Sequence, residues 1–304
     1  MEIGIAVVLL ALVAIKVFQH HLPRFIYQGF IVVGLGLPLV ITVYALWLLQ
    51  TQGIGWRELV LFLVFYVLTG LGTTLGLHRL LTHRSFETVP AVRLFFLIMG
   101  SMANQGKAID WAANHLKHHA YSDQDGDPHS PLHGFAHAHI GWILTSPPAE
   151  RERYCKPLLN DPLVLFVDRT WMIWLGLGLL IPYLVAGWSG LLWGGVVRMT
   201  FGNHVVFAVN SICHTFGDQP FDTRDRSRNN WLIGLLALGE GWHNNHHAFP
   251  AMAFHGMGWK QFDFTAIVIR LLVRAHLAWN VKQPTPALIE RRRARFEGAV
   301  SAVN

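Results

Sequence analysis

The chain has 304 residues, 52% of them hydrophobic and only 14% charged, and a mean hydropathy of +0.35; this excludes an ordinary soluble domain and points to a polytopic membrane protein. The isoelectric point near 9.6 does not signal a nucleic-acid partner, because the basic residues fall in short segments between apolar runs, the positive-inside pattern. Two cysteines, Cys155 and Cys213, are too few for a disulfide framework or a thiolate metal site.

Residues 3–18 are apolar, with Glu2 ahead and Lys16, His20, His21 and Arg24 at the far end. A cleavable signal peptide carries its positive charge ahead of the apolar core, so 1–24 is expected to form an extra or interfacial helix before a single membrane domain over 25–304. Runs near 28–49 and 59–77 are each long enough to cross a bilayer and predict a helical hairpin. The second run ends in His78-Arg79-Leu80-Leu81-Thr82-His83-Arg84, which places two histidines at its basic, cytoplasmic end. Residues 94–103 are apolar but too few to cross, and predict a helix on or dipping into the interface.

Asp110 to Ala120 reads as a polar helix carrying His115-Leu116-Lys117-His118-His119, followed by a turn-rich loop over 122–129. Its carboxylates suit either support of ligand histidines or a solvated acidic turn. Arg151, Arg153, Lys156 and Arg169 mark another cytoplasmic segment. The charge-free stretch from Trp171 to Val197 is broken by Pro182 and by Gly187-Trp188-Ser189-Gly190, predicting a second hairpin with helices near 171–187 and 190–213. Its returning limb brings Asn210 and His214, neighbours at i, i+4, to the depth of His78. Arg224, Arg226 and Arg228 keep the next segment cytoplasmic, including Trp242-His243-Asn244-Asn245-His246-His247. Residues 263–281 set Phe264, Ile267, Val268, Leu271 and Leu272 on one side and Arg270 and Arg274 elsewhere, an amphipathic surface helix. The tail Arg291-Arg292-Arg293-Ala294-Arg295 suits anionic lipid. The expected architecture is an all-α membrane protein: four spans, in two hairpins, under a cytosolic cap built from 78–170 and 214–304.

Two His-x-x-His-His motifs and the His78/His83 pair carry the chemistry. On a helix, i, i+3 and i+4 share a face, so each motif is expected to aim three imidazoles at one point. Protonated histidines packed this closely would repel, whereas neutral imidazoles suit zinc, copper, iron or nickel. The nine imidazoles of His78, His83, His115, His118, His119, His214, His243, His246 and His247 exceed the four to six ligands one ion takes, so two metals are expected. A zinc protease does not fit, because neither motif holds the glutamate of His-Glu-x-x-His. A membrane metal transporter or sensor would need ionisable groups along the span interiors, where Arg198 and His204 are the exceptions.

From about Tyr66 to Pro250 the chain resembles the integral-membrane fatty acyl desaturases of the stearoyl-CoA desaturase type. The matching residues are the run from Gly72 to Ser85, Trp111 through Asp127-Pro128-His129, Asn210-Ser211 with His214, and Gly239-Glu240-Gly241-Trp242 leading into His243. The resemblance implies a four-helix membrane stalk under a cytosolic cap that holds two iron ions, with the nine histidines as ligands and Asn210 acting through water. It implies a bent acyl tunnel, with Gln105 and Trp111 at the bend and Tyr66 closing the far end. The implied reaction inserts a cis double bond into an acyl thioester, using O2 and two electrons; a hydroxylase or acetylenase on the same scaffold is the alternative. The chain departs from coenzyme A-binding members in carrying Ala113-Asn114 where they have Arg-Asp, and Thr145-Ser146 in place of a basic pair, which leaves acyl-CoA and acyl carrier protein both open. With no His-Pro-Gly-Gly haem motif and no iron–sulfur cysteine set, the electrons are expected from a separate donor of ferredoxin, cytochrome b5 or reductase type.

Overall fold

The computed structural model describes residues 24–293; the apolar segment at 3–18 and the end of the arginine tail lie outside the described residues. The elements that position the site are α1 (Arg24–Gln52), α2 (Trp56–Leu71), α3 (Pro90–Met102), α4 (Ala108–Tyr121), α5 (Pro162–Gly190), α6 (Arg198–Ser211), α7 (Trp231–Leu236), α8 (His243–Ala248) and α9 (Phe264–Arg274). Glu87–Thr88 (β1) pairs antiparallel with Ala278–Trp279 (β2).

Three helical runs are long and apolar enough to cross a membrane: Gly34–Gln52, Trp56–Thr82 and Pro162–His214. The second does not stop near Leu77. It continues from α2 as a π-helix over Gly72–Thr82, buried along its whole length, and that segment carries His78 and Arg79. Such widened turns recur at functional sites because they re-aim side chains.

The third run is 53 residues long and folds back on itself. It begins at Pro162 rather than near 171, because the Asp161 side chain caps the free N–H groups of Leu163 and Val164 and proline suits the first turn. It breaks at Ala186 (φ −138°, ψ 25°) and Gly187 (φ 59°, ψ −145°), the second a backbone region that glycine enters without penalty. Beyond the break, a Cβ on Gly194 would lie 3.1 Å from Pro182 Cβ, and one on Gly195 would lie 3.2 Å from Leu179 Cδ2. Arg198 Nη2 donates to the Gly178 carbonyl at 3.0 Å. These pairs mirror about residues 187–188, so the limbs are antiparallel and the expected hairpin is present.

The short apolar helix α3 is wedged between α2 and α5 rather than laid over them. Gly76 leaves room for its backbone, since a Cβ there would sit 2.7 Å from the Phe96 carbonyl oxygen. Arg198, 1% exposed, ties the bundle together. Nε donates to Gly194 O at 3.0 Å and Nη1 to Met102 O at 3.1 Å, and the guanidinium lies 5.6 Å from the Phe65 ring centroid. A charge at a span centre costs about 2.5–3.5 kcal/mol on insertion scales; carbonyl contacts from three segments offset that cost.

The amphipathic helix ends at Arg274 instead of extending to 281, because His276 (φ 57°) and Asn280 (φ 50°) leave helical geometry and the chain turns into β2. Its inward side is Thr265, Ala266 and Ile269, flanked by Phe264, Val268 and Leu272, while Ile267 and Leu271 are exposed. The apolar stripe read from sequence is therefore divided between core and surface.

Candidate metal centre

Four segments deliver the histidines. The π-helix provides His78, and His83 caps its end. Helix α4 is fastened to α5 by Asp168, which accepts from Ile109 N at 2.9 Å and from Arg151 Nη1 at 3.2 Å. A 3-10 turn after α6 presents His214. Helix α8 is only six residues long, so its asparagines hold it. Asn244 exchanges hydrogen bonds with the Phe221 backbone at 2.9 and 3.0 Å, and Asn245 Nδ2 donates to His255 O at 2.9 Å.

The ligand atoms form two groups: His78, His83, His115, His119 and His246 in one, and His118, His214, His243 and His247 in the other, each within 4.8 Å of its own group. This corrects the expectation that each His-x-x-His-His converges on one point. In both motifs the i and i+4 residues share a group and the i+3 residue joins the other. At about 100° per residue, i and i+4 lie roughly 40° apart while i+3 lies roughly 60° to the opposite side. Each motif therefore bridges the two groups.

Carboxylates fix the rings from behind. His118 Nδ1 lies 2.9 Å from Asp127 Oδ1, His214 Nδ1 3.0 Å from Asp123 Oδ2, and His247 Nδ1 2.7 Å from Asp225 Oδ2. In the five-histidine group, His78 Nδ1 lies 2.6 Å from Glu240 Oε2. A ring that donates through Nδ1 presents a bare Nε2 lone pair forward. Two of the four carboxylates come from the loop after α4, whose supporting role was one of its two readings. Asp225 and Glu240 had no such signal, and neither did Arg79, which is fully buried and bonds both Glu240 Oε1 (2.9 Å) and Asp263 Oδ2 (3.0 Å). His255, also fully buried, stacks 4.6 Å from His246 and shares Glu240 with His78 at 3.2 Å.

The arrangement fits metal. The Nε2 atoms of His118 and His247 are buried with no hydrogen-bond partner. Forward-facing nitrogens crowd one another: His78 and His246 Nε2 at 3.1 Å, His83 and His115 Nε2 at 2.9 Å, His243 and His214 Nε2 at 3.1 Å. Burial, reinforced by the charges neighbouring histidines would carry, pushes His83, His115, His119, His243, His246 and His247 well below the ordinary histidine value. Neutral rings crowding lone pair against lone pair repel unless a cation lies between them. Burial alone would raise the Glu240 carboxyl, but His255, His78 and Arg79 around it hold it well below the usual range.

Both groups open on one largely apolar cavity, lined by His78, His115 and His243 at one end and by Tyr66, Thr69 and Arg198 at the other. Asn210, Gln105 and Trp111 line its walls. Trp111 Nε1 donates to Gln105 Oε1 at 3.3 Å, and Gln105 Nε2 donates to Asn203 Oδ1 at 2.6 Å, so the amide is held in one orientation. Tyr66 OH donates to Leu236 O at 2.5 Å and its ring packs 5.4 Å from Phe201. All thirteen residues singled out from the sequence therefore lie in or on this one site. Ala113 is buried and Asn114 is spent on the Ala149 N–H at 3.1 Å.

Residues 54–258 match the family described as fatty acid desaturase. The chain is 37% identical over 278 residues to a hex-5-enoyl-[acyl-carrier protein] acetylenase from Moorena producens, covering 84% of this chain and 87% of that one. It is 43% identical over 223 residues to an sn-1 stearoyl-lipid 9-desaturase from Anabaena variabilis, covering 72% and 82%. An acyl-CoA 5-desaturase from Anemone leveillei is 41% identical over 251 residues, covering 81% and 78%.

Proposed function

The chain belongs to the fatty acid desaturase family, an oxidoreductase family, and within it we propose that this protein is a di-iron acyl desaturase. It inserts a cis double bond into an acyl chain carried as a thioester, on coenzyme A or acyl carrier protein. The observation that carries this reading is that two histidine groups, of five and four, both reach a single apolar cavity through His78, His115 and His243. The five-histidine and four-histidine groups would each hold one iron, and Asn210 would hold an iron through water. The all-imidazole donor set suits iron, and the carboxylates behind the rings set their orientation.

When bound, the irons supply the dioxygen chemistry needed to take hydrogen from an unactivated methylene. The protein does the rest. The cavity excludes water from the acyl chain and places its target carbons beside His78, His115 and His243. The Trp111–Gln105–Asn203 chain fixes the wall where the tunnel bends. Tyr66, twelve residues before His78 on the same helical run, closes the far end. In the membrane the 53-residue run crosses twice, giving four spans, with the metal centre on the cytoplasmic side, where Arg79, Arg84 and the Arg224–Arg228 loop lie. The two electrons come from a separate donor.

A second reading is favoured by the acetylenase among the relatives: the same site acting on an already unsaturated chain. Incubation with O2, a reductant and saturated or unsaturated acyl thioesters, followed by mass spectrometry, separates the outcomes. A cis alkene from a saturated chain is expected. An alkyne formed only from an unsaturated chain would establish the acetylenase, and an oxygenated chain would replace both readings with a hydroxylase.

A further inference from the structure

Two arginine runs far apart in sequence meet on one face. Arg224 and Arg226 are exposed and Arg228 is half-buried on the loop before α7, and Arg291, Arg292 and Arg293 are exposed on the C-terminal helical turns. The edge-to-face packing of Phe221 and Phe249, 5.3 Å between centroids, joins them. The Arg292 guanidinium lies 4.9 Å from the Phe249 ring and that of Arg293 lies 5.9 Å from the Phe221 ring. The apolar cluster beneath is Phe221, Ala248, Phe249 and Met252 with Met257, Leu288 and Ile289. None of these comes from a spanning helix. Of the carboxylates beside these arginines, Asp225 is committed to His247, Glu290 to Arg293 and Asp123 to His214.

The same loop also reaches the four-histidine group. Asp225 accepts from His247, and the Arg226 N–H donates at 2.6 Å to Asp123 Oδ2, which holds His214 Nδ1 at 3.0 Å. The arginine face is thus one or two hydrogen bonds from two imidazoles of the centre.

We propose that this arginine face is the docking surface for an acidic one-electron carrier protein, seated over the four-histidine group. The inference rests on the desaturase reading, because only an electron-consuming reaction needs such a partner. The balance is R–CH2–CH2–R′ + O2 + 2 e− + 2 H+ → R–CH=CH–R′ + 2 H2O, so two reduced carriers are each oxidised by one electron per double bond. A bilayer is the less suitable occupant, since the packing that gathers the arginines excludes the spanning helices. Charge complementarity with an acidic surface would speed association and make it salt-dependent.

The test measures binding of the iron-loaded, detergent-purified protein to a plant-type [2Fe–2S] ferredoxin, used as an acidic probe, at low and moderate salt. Arg224→Glu/Arg291→Glu/Arg292→Glu is expected to weaken binding about tenfold or more while iron content stays at the parent level. Arg270→Glu/Arg274→Glu, on the exposed side of α9, is expected to bind as the parent does, and salt should weaken the parent complex. Carrier binding unaffected by the triple reversal or by salt would overturn the proposal. So would loss of phosphatidylglycerol-vesicle binding with carrier binding intact, which would mark a lipid surface. Double-bond formation driven by dithionite in place of the carrier reports separately on the desaturase reading.

Discussion

His78 Nδ1 lies 2.6 Å from Glu240 Oε2, and the other oxygen of that carboxylate accepts from Arg79 Nη2 at 2.9 Å. Arg79 is in turn held by Asp263, so a buried ladder of alternating charge stands behind a single ring of the five-histidine group. Glu240→Gln keeps the shape but removes the acceptor charge that fixes the His78 tautomer. We expect the variant to lose iron to a chelator at concentrations about 10–100-fold lower than the parent. Chelator titration followed by metal analysis reads this directly.

The division of each motif between two groups predicts an unusual pair of variants. His246 and His247 are adjacent in sequence but belong to different groups. His246→Ala and His247→Ala should each lower bound iron by about half, and the double variant should lower it to near zero. Loss of all iron from both single variants would mean that the two positions fill only together.

The division also shows what can be read from sequence. The nine histidines are legible because His-x-x-His-His is local and periodic, and the second hairpin is legible because Gly187 to Gly190 interrupts an uncharged run. The partition was not legible, since a shared helical face does not specify one focal point. The start of α5 at Pro162 was hidden by Asp168 and Arg169, and Asp168 becomes tolerable only through Arg151 and the Ile109 N–H. Glu240 and Asp225 carry no periodic signal of their role. Arg79 and Glu240 meet across 161 residues, a separation that no local spacing encodes.

Tyr66 lines the cavity and its hydroxyl donates to Leu236 O; on the proposed reading its ring closes the far end. Tyr66→Ala should extend the acyl chains accepted, shifting the product profile toward longer chains. Tyr66→Phe keeps the ring and should leave the profile near that of the parent. Competition assays with mixed chain lengths test both, and an unchanged profile for Tyr66→Ala would remove its role as the closed end.

Gly76 lets α3 approach the π-helix that carries His78. A Cβ there would lie 2.7 Å from Phe96 O and 2.9 Å from Phe96 C, backbone atoms that cannot step aside alone. Gly76→Ala should cost about 1–3 kcal/mol of stability, the usual range for overpacking, and should lower iron content by displacing His78. Thermal unfolding in detergent and metal analysis measure the two effects.

The histidines of the centre that burial pushes below their ordinary value of 6.5 set the direction of the pH response. The folded state keeps them neutral, whereas the unfolded chain binds protons as pH falls through 6.5. Their contribution is therefore complete above that pH and is lost progressively below it. Metal retention follows the same direction, because only neutral rings bind. Iron content and melting temperature measured from about pH 8 to about pH 5 should be flat above about 6.5 and then fall together; iron retained undiminished at about pH 5 would contradict this.

The central claim is that the two histidine groups hold two irons. Metal analysis of the protein purified under controlled iron supply tests it most directly. Two irons per chain, falling to about one when His247 alone is replaced, is the predicted result. One metal per chain in the parent, or zinc retained in place of iron, would contradict it.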